Sequence, residues 1–146
     1  VSETVPAVTA DSDFEVRSGG CLCGKVGFTV TGPVDDPHIC ACAHCVKRSG
    51  APFQWWLGFP TAGLKWTGDE PVWFDTHPGK TARGFCSACG SHIAARDYGD
   101  SVVIGILATA LDHHDTDPAL VPTNLNRLAE AAPWLAQNDS RHAAAG

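Results

Sequence analysis

Two short cysteine pairs, separated by about 60 residues, constrain this chain more than any other feature. The first, Cys21-Leu22-Cys23, is flanked by Gly20 and Gly24. The second, Cys86-Ser87-Ala88-Cys89-Gly90, has the spacing of a zinc knuckle. Its closing glycine permits the tight turn that lets backbone amides approach the sulfurs. Structural zinc prefers four such ligands in a closed tetrahedron. One ion shared by both pairs clamps the first half of the chain to the second. The plain alternative is four free cysteines packed as small hydrophobes.

Three more cysteines follow closely in His38-Ile39-Cys40-Ala41-Cys42-Ala43-His44-Cys45-Val46-Lys47-Arg48. Counting supports two ions. Four cysteines make a closed site, and three remain to hold a second ion with one position left open, the pattern of catalytic zinc. A fourth ligand from His38 or His44 would instead close that site. Zinc with three thiolates is formally negative and a weak Lewis acid, yet it still holds an incoming thiol deprotonated. Lys47 and Arg48 are candidates for offsetting that charge or meeting a substrate carboxylate. Their alternative is two solvated surface charges.

A length of 146 residues indicates one domain able to bury a real core. An odd cysteine count of seven argues against a secreted disulfide framework, and thiolate metal sites suit a reducing cytosol. A cytoplasmic location is therefore expected. The net charge is -6 and the basic residues are scattered, so no nucleic-acid partner is expected. No apolar run approaches the roughly 18 residues that cross a bilayer, and no basic start precedes an apolar stretch. Neither a membrane partner nor a signal peptide is expected.

Short runs of β-branched and aromatic residues, broken by Gly and Pro, predict a mostly β domain over 13–139 with loose tails at 1–12 and 140–146. Strands are predicted at Lys25–Thr31, Phe53–Phe59, Val72–Asp75, His92–Tyr98 and Val102–Leu107. A short C-terminal helix is predicted over Asn124–Ala132, capped near Thr123. Its apolar stripe and the Trp-rich strand either close the core or form the interface of a homodimer.

The motifs Gly19-Gly20-Cys21-Leu22-Cys23-Gly24-Lys25-Val26, Cys40-Ala41-Cys42-Ala43-His44-Cys45 and Arg83-Gly84-Phe85-Cys86-Ser87-Ala88-Cys89-Gly90 resemble those of the glutathione-dependent formaldehyde-activating family, also called the CENP-V/GFA domain family. Leu111-Asp112 and Pro133-Trp134-Leu135 extend the likeness, which covers roughly 14–139. The resemblance implies a β-tent of short antiparallel strands. It implies a structural zinc on Cys21, Cys23, Cys86 and Cys89, and a second zinc on Cys40, Cys42 and Cys45 open to the sulfur of glutathione. It also implies a carbon-sulfur lyase activity run in reverse, joining formaldehyde to glutathione as S-hydroxymethylglutathione. The chain departs from the family at Pro122-Thr123-Asn124-Leu125, around Thr76-His77 and at His113-His114, all outside the metal ligands.

The chemistry expected is thiolate addition to an aldehyde, with a small-molecule thiol and an aldehyde as partners. The developing alkoxide needs a proton donor, for which His44, His38 and His77 are candidates. Trp55, Trp56 and Phe53 are candidate pocket walls. Arg83 either faces a ligand carboxylate or braces the zinc knuckle. Rival readings are a different thiol or aldehyde, a non-catalytic thiol carrier, and a zinc module acting through protein contacts.

Overall fold

A computed structural model describes residues 15–135 of the protein, so the tails expected at 1–12 and 140–146 lie outside the described residues. Two antiparallel ribbons open the chain. Strands β1 (Val16–Gly20), β2 (Gly27–Thr31) and β5 (Leu64–Trp66) form a three-stranded sheet in the order β1-β2-β5. A seven-stranded sheet takes β3 (Asp35–Cys40), β4 (Gln54–Pro60), β6 (Val72–His77), β7 (Thr81–Phe85), β8 (His92–Asp97), β9 (Asp100–Leu107) and β10 (Asn124–Arg127). Its order is β10-β3-β4-β9-β8-β7-β6, antiparallel except where β10 runs parallel to β3. The mostly β expectation holds.

Alternation decides which face of each strand is buried. In β2, Phe28 and Val30 point inward, 1% and 0% exposed. In β4, Leu57 and Phe59 meet them, joined by Ile104 and Ile106 of β9 and Ala94 of β8. This core lies between the two sheets. Burying Phe28 and Phe59 contributes on the order of 2–3 kcal/mol each. Trp55 shares that face and donates its Nε1–H to the Leu120 carbonyl at 2.8 Å. The intervening residues Trp56 and Gly58 therefore face the opposite side of the large sheet.

One helix, α1 (Ala43–Ser49), joins β3 to β4. It ends at Gly50, whose left-handed φ of 71° lets its N–H reach the Val46 carbonyl at 2.9 Å. Two turns with Cys45 as the sole buried side chain leave little periodic signal, and the sequence reads there only as a cysteine turn. The helix expected over Asn124–Ala132 is not formed there. Asn124–Arg127 is strand β10, Leu128–Glu130 is a single 3-10 turn, and the chain becomes helical only at 133–135. The edge of β3 presents backbone groups that need partners. Thr123 N–H and Ala41 N–H find theirs across this seam, on the Pro37 and Arg127 carbonyls. Pairing with a sheet edge outweighs the helix propensity of Leu, Arg and Ala.

Arg17 on β1 ties the small sheet to the loop before β10. Its side chain is 9% exposed, and its Nε donates to Asp117 Oδ2 at 2.8 Å. Burial pushes the Asp117 carboxyl up, but the Arg17 guanidinium and the Ala119 amide more than offset this and hold it below its ordinary range. A depressed carboxyl stabilises the fold above its unfolded value, and that contribution is lost as pH falls through the folded value. Asp117→Asn keeps an acceptor for Ala119 and removes the charge. It should cost about 1–2 kcal/mol near neutral pH. The gap from wild type, read from urea midpoints, should begin to narrow as the pH falls below the unfolded carboxyl value of about 3.9 and close once it passes the lower folded value. A gap constant across that range would show that the ion pair is not its source.

Candidate metal centre

The loop after β1 and the knuckle after β7 bring four sulfurs together. The Sγ atoms of Cys21, Cys23, Cys86 and Cys89 all lie within 4.8 Å of one another. Cys21 and Cys23 are 3.6 Å apart, and Cys23 and Cys86 are 3.8 Å apart. With zinc–sulfur bonds of about 2.3 Å, a tetrahedral edge is about 3.8 Å, so the quartet fits one zinc ion. Backbone amides also point at the sulfurs. Val26 N–H reaches Cys21 Sγ at 3.2 Å, and Ala88 N–H reaches Cys86 Sγ at 3.4 Å. Ser91 joins both halves: its Oγ accepts from Leu22 N–H at 3.0 Å and lies 3.1 Å from Cys89 Sγ. The Ser91 hydroxyl and amide draw the Cys89 thiol down to about 5.

The second cluster forms where β3 passes into α1. Cys40 ends β3, Cys42 caps α1, and Cys45 lies in its first turn. Their three Sγ atoms lie within 4.8 Å of one another, and among the described residues no histidine or carboxylate joins them. Cys42 and Cys45 are three apart and share a helix face, whereas His44 between them turns outward. His38 is engaged elsewhere, its Nδ1 lying 2.8 Å from the Asp36 carbonyl. The closed arrangement of three cysteines and a histidine is therefore not what the fold assembles. Three convergent soft sulfurs suit a zinc ion with a further position for an outside ligand.

Burial pushes the Cys45 thiol up to about 11, with Cys40 adding to it and Arg83 opposing it. Burial also raises Cys42, but the Cys45 amide and the neighbouring thiols outweigh it and bring Cys42 down to about 7. Arg83 on β7 reaches across to this cluster. Its Nη1 and Nη2 lie 3.7 and 3.8 Å from Cys45 Sγ, and its guanidinium sits 5.1 Å from the Trp56 ring centroid. It braces the three-cysteine cluster and not the zinc knuckle that follows it in sequence. Arg127 on β10 stands beside Cys40 and Cys42 and pairs with Glu130 at 3.1 Å; Cys40 first, then Glu130 and Cys42, strengthen its hold on its proton.

A cleft of about 380 Å³ opens from this cluster along the outer face of the large sheet. Its floor is hollow because the central strands carry Gly58, Ala95 and Gly105 there. A Cβ at Gly58 would stand 3.1 Å from both Asp35 and Val103. Trp56, Arg83, His77 and His38 form its walls near the sulfurs.

The residues expected from sequence divide sharply. All seven cysteines converge in the two groups expected. Trp55 does not line this cleft; it points into the core, and Trp56 takes the place. His44 is exposed on α1 and lays its ring against that of His77, with centroids 3.9 Å apart. Lys47 and Arg48 line a neighbouring hollow with His44, Phe74 and Thr76. Arg48 is further committed to His92 Nδ1 at 2.8 Å and to the Phe85 ring. Arg127 was missed altogether, because its part follows from the parallel pairing of β10 with β3.

Comparison with known proteins follows this geometry. No curated protein matches the chain in sequence. The crystal structure of a Rhodobacter sphaeroides protein shares the fold, with a TM-score of 0.55 at 19% identity, covering 75% of this chain and 99% of that one. A family model described as glutathione-dependent formaldehyde-activating enzyme matches residues 16–124, well over half of the chain, and the protein belongs to that family.

Proposed function

We propose that the protein joins a small thiol, glutathione in the family's named reaction, to formaldehyde or a related small aldehyde. The observation that carries this reading is the trio Cys40, Cys42 and Cys45, gathered at the head of a cleft with Arg83 on the sulfur of Cys45. The same reading places one structural and one catalytic zinc ion in the two cysteine groups. Zinc on the three sulfurs would supply one position at which a thiol is held as thiolate.

The protein's own groups account for the rest. Arg83 and Arg127 place positive charge beside the sulfurs and favour the thiolate of the incoming thiol. Trp56 walls the cleft and limits water near the reacting sulfur. A sulfur lone pair forms the new carbon–sulfur bond while the carbonyl π pair moves onto oxygen. That oxygen takes one proton, equal to the one the thiol gave up, so the addition needs neither oxidant nor reductant. His77 lines the cleft and supplies that proton. His44, stacked on His77 from α1, orients it. None of the seven cysteines is joined in a disulfide, which suits a reducing compartment such as the cytoplasm. Among the described residues no helix is long and apolar enough to cross a membrane.

Two measurements test this reading. Metal content and thermal unfolding should separate the cysteine groups. Cys89→Ser should abolish folding or lower the midpoint by more than about 10 °C, because structural zinc is coupled to folding. Cys42→Ser should lose one ion and keep the fold. Identical behaviour of the two variants would overturn the division of ligands.

Magnetization-exchange NMR on glutathione and formaldehyde reads the rate of hemithioacetal interconversion at equilibrium, with the spontaneous reaction as its own control. Zinc-loaded protein should speed exchange, Cys42→Ser should abolish the effect, and Arg83→Gln should reduce it by about 10- to 100-fold with metal content unchanged. Unchanged exchange accompanied by broadened glutathione signals would mean a thiol carrier. No effect of any kind would leave the zinc module acting through protein contacts.

A further inference from the structure

A second cavity, of about 800 Å³, lies apart from the cleft and shares no lining residue with it. Phe53, Gln54 and Trp55, where the chain enters β4, line it together with His92 of β8 and His114 of the loop before β10. Gln54 is 7% exposed and is the one buried polar side chain among the described residues. Its Oε1 is buried and has no hydrogen-bond partner. A buried acceptor without a donor is costly, so its place in a cavity wall calls for a donor from outside the chain.

The neighbours of Gln54 fix which way its amide faces. Arg48 Nη1 lies 2.8 Å from His92 Nδ1. A guanidinium only donates, so Nδ1 must accept. Gln54 Nε2 lies 3.4 Å from the same nitrogen. The amide therefore turns its NH2 toward His92 and leaves Oε1 as the free atom. Burial first, then the guanidiniums of Arg48 and Arg83, holds the His92 ring below the ordinary histidine range. Its single proton accordingly sits on Nε2, which has no partner among the described residues. One unfilled acceptor and one unfilled donor thus stand on adjacent side chains of the same wall. The aromatic rings of Phe53 and Trp55 flank them, and His114 lies edge-on to Trp55 with centroids 6.0 Å apart. Nδ1 of His114 is held 3.1 Å from the Leu111 carbonyl. Asp112 and Asp115 also line the cavity, which disfavours an anion there.

We propose that this cavity is a second small-molecule site, which takes a neutral aromatic carboxamide or lactam whose N–H meets Gln54 Oε1 and whose carbonyl meets His92 Nε2–H. An amide carries its donor and acceptor side by side, as the wall carries their complements. A carboxylate brings no N–H and adds a charge that Asp112 and Asp115 repel. An ester brings the carbonyl but leaves Gln54 Oε1 unfilled. The site stands apart from the three-cysteine cleft, so it does not depend on the thiol-binding reading.

The test titrates zinc-loaded protein with benzamide, methyl benzoate and benzoate, which share a ring and differ at the polar group. Binding is read from the indole N–H signal of Trp55 in nitrogen-15 NMR spectra, assigned by its loss in Trp55→Phe. That N–H is bonded to the Leu120 carbonyl beside the cavity, so its shift reports occupancy there. Benzamide should bind at least about fivefold more tightly than the ester, the weight of one neutral hydrogen bond, and benzoate should bind most weakly. Gln54→Met, which keeps the length of the side chain and removes the acceptor, should erase the preference for amide over ester. The ligand series in the wild type decides even where that variant folds poorly. Equal binding of amide and ester would leave water as the partner of Gln54 and overturn the proposal. So would a preference that survives in Gln54→Met, or a Trp55 signal that none of the three ligands moves.

Discussion

The convergence of Cys21, Cys23, Cys86 and Cys89 is the contact on which the rest of the fold depends. Cys21 and Cys23 leave the three-stranded sheet, and Cys86 and Cys89 connect two strands of the seven-stranded one. A single ion held there would fix the angle between the sheets. The site is also continuous with the apolar core, since Cys86 is 0% exposed and packs within it. Four thiolates this close repel one another strongly, and four thiols gain only weak S–H contacts. A divalent cation resolves both problems, and the amides of Val26, Ala88 and Cys89 are already aimed at the sulfurs.

With the inner face of the large sheet committed to the core, its outer face is free for chemistry. Alternation along β4 separates the two uses residue by residue: Trp55, Leu57 and Phe59 inward, Trp56 and Gly58 outward. Helix α1 brings the second cysteine group onto that outer face. Between the helix and the β8–β9 hairpin the sheet is floored by small residues. A face built this way is flat unless something stands up from it. Trp56 and Arg83 do so, and each supports the other through the contact of guanidinium and ring.

The two cysteine groups were legible in the sequence because a shared ion would demand close local spacing. Cysteines two or three residues apart can serve one ion almost regardless of what surrounds them. Most strands were legible for a similar reason, since alternation is a local signal. What sequence could not supply was contact set by pairing. Trp55 and Trp56 are chemically equal neighbours, and only the register of β4 against β9 decides which faces the cleft. Helix α1 is too short to show a period. The stretch after Thr123 has good helix formers, yet the unpaired edge of β3 draws it into a strand.

The same distinction explains why the charges nearest the second cysteine group in sequence are not its charges in space. Lys47, two residues after Cys45, is turned about 200° away from it, and Arg48, three residues on and back on the Cys45 side, spends its guanidinium on His92 and the Phe85 ring. Arg83 and Arg127 lie 38 and 87 residues from Cys45 and Cys40, yet strands β7 and β10 deliver them to the site. Strand pairing fixes where each of these side chains starts, and Arg127 is tied in addition to Glu130 at 3.1 Å. Arg83 is further pinned by the Trp56 ring. Positive charge fixed in this way lowers the cost of gathering negative sulfurs without closing the cluster, because a guanidinium donates to sulfur and does not ligate metal. That property would let three cysteines be stabilised together while leaving room for the sulfur of the thiol proposed above.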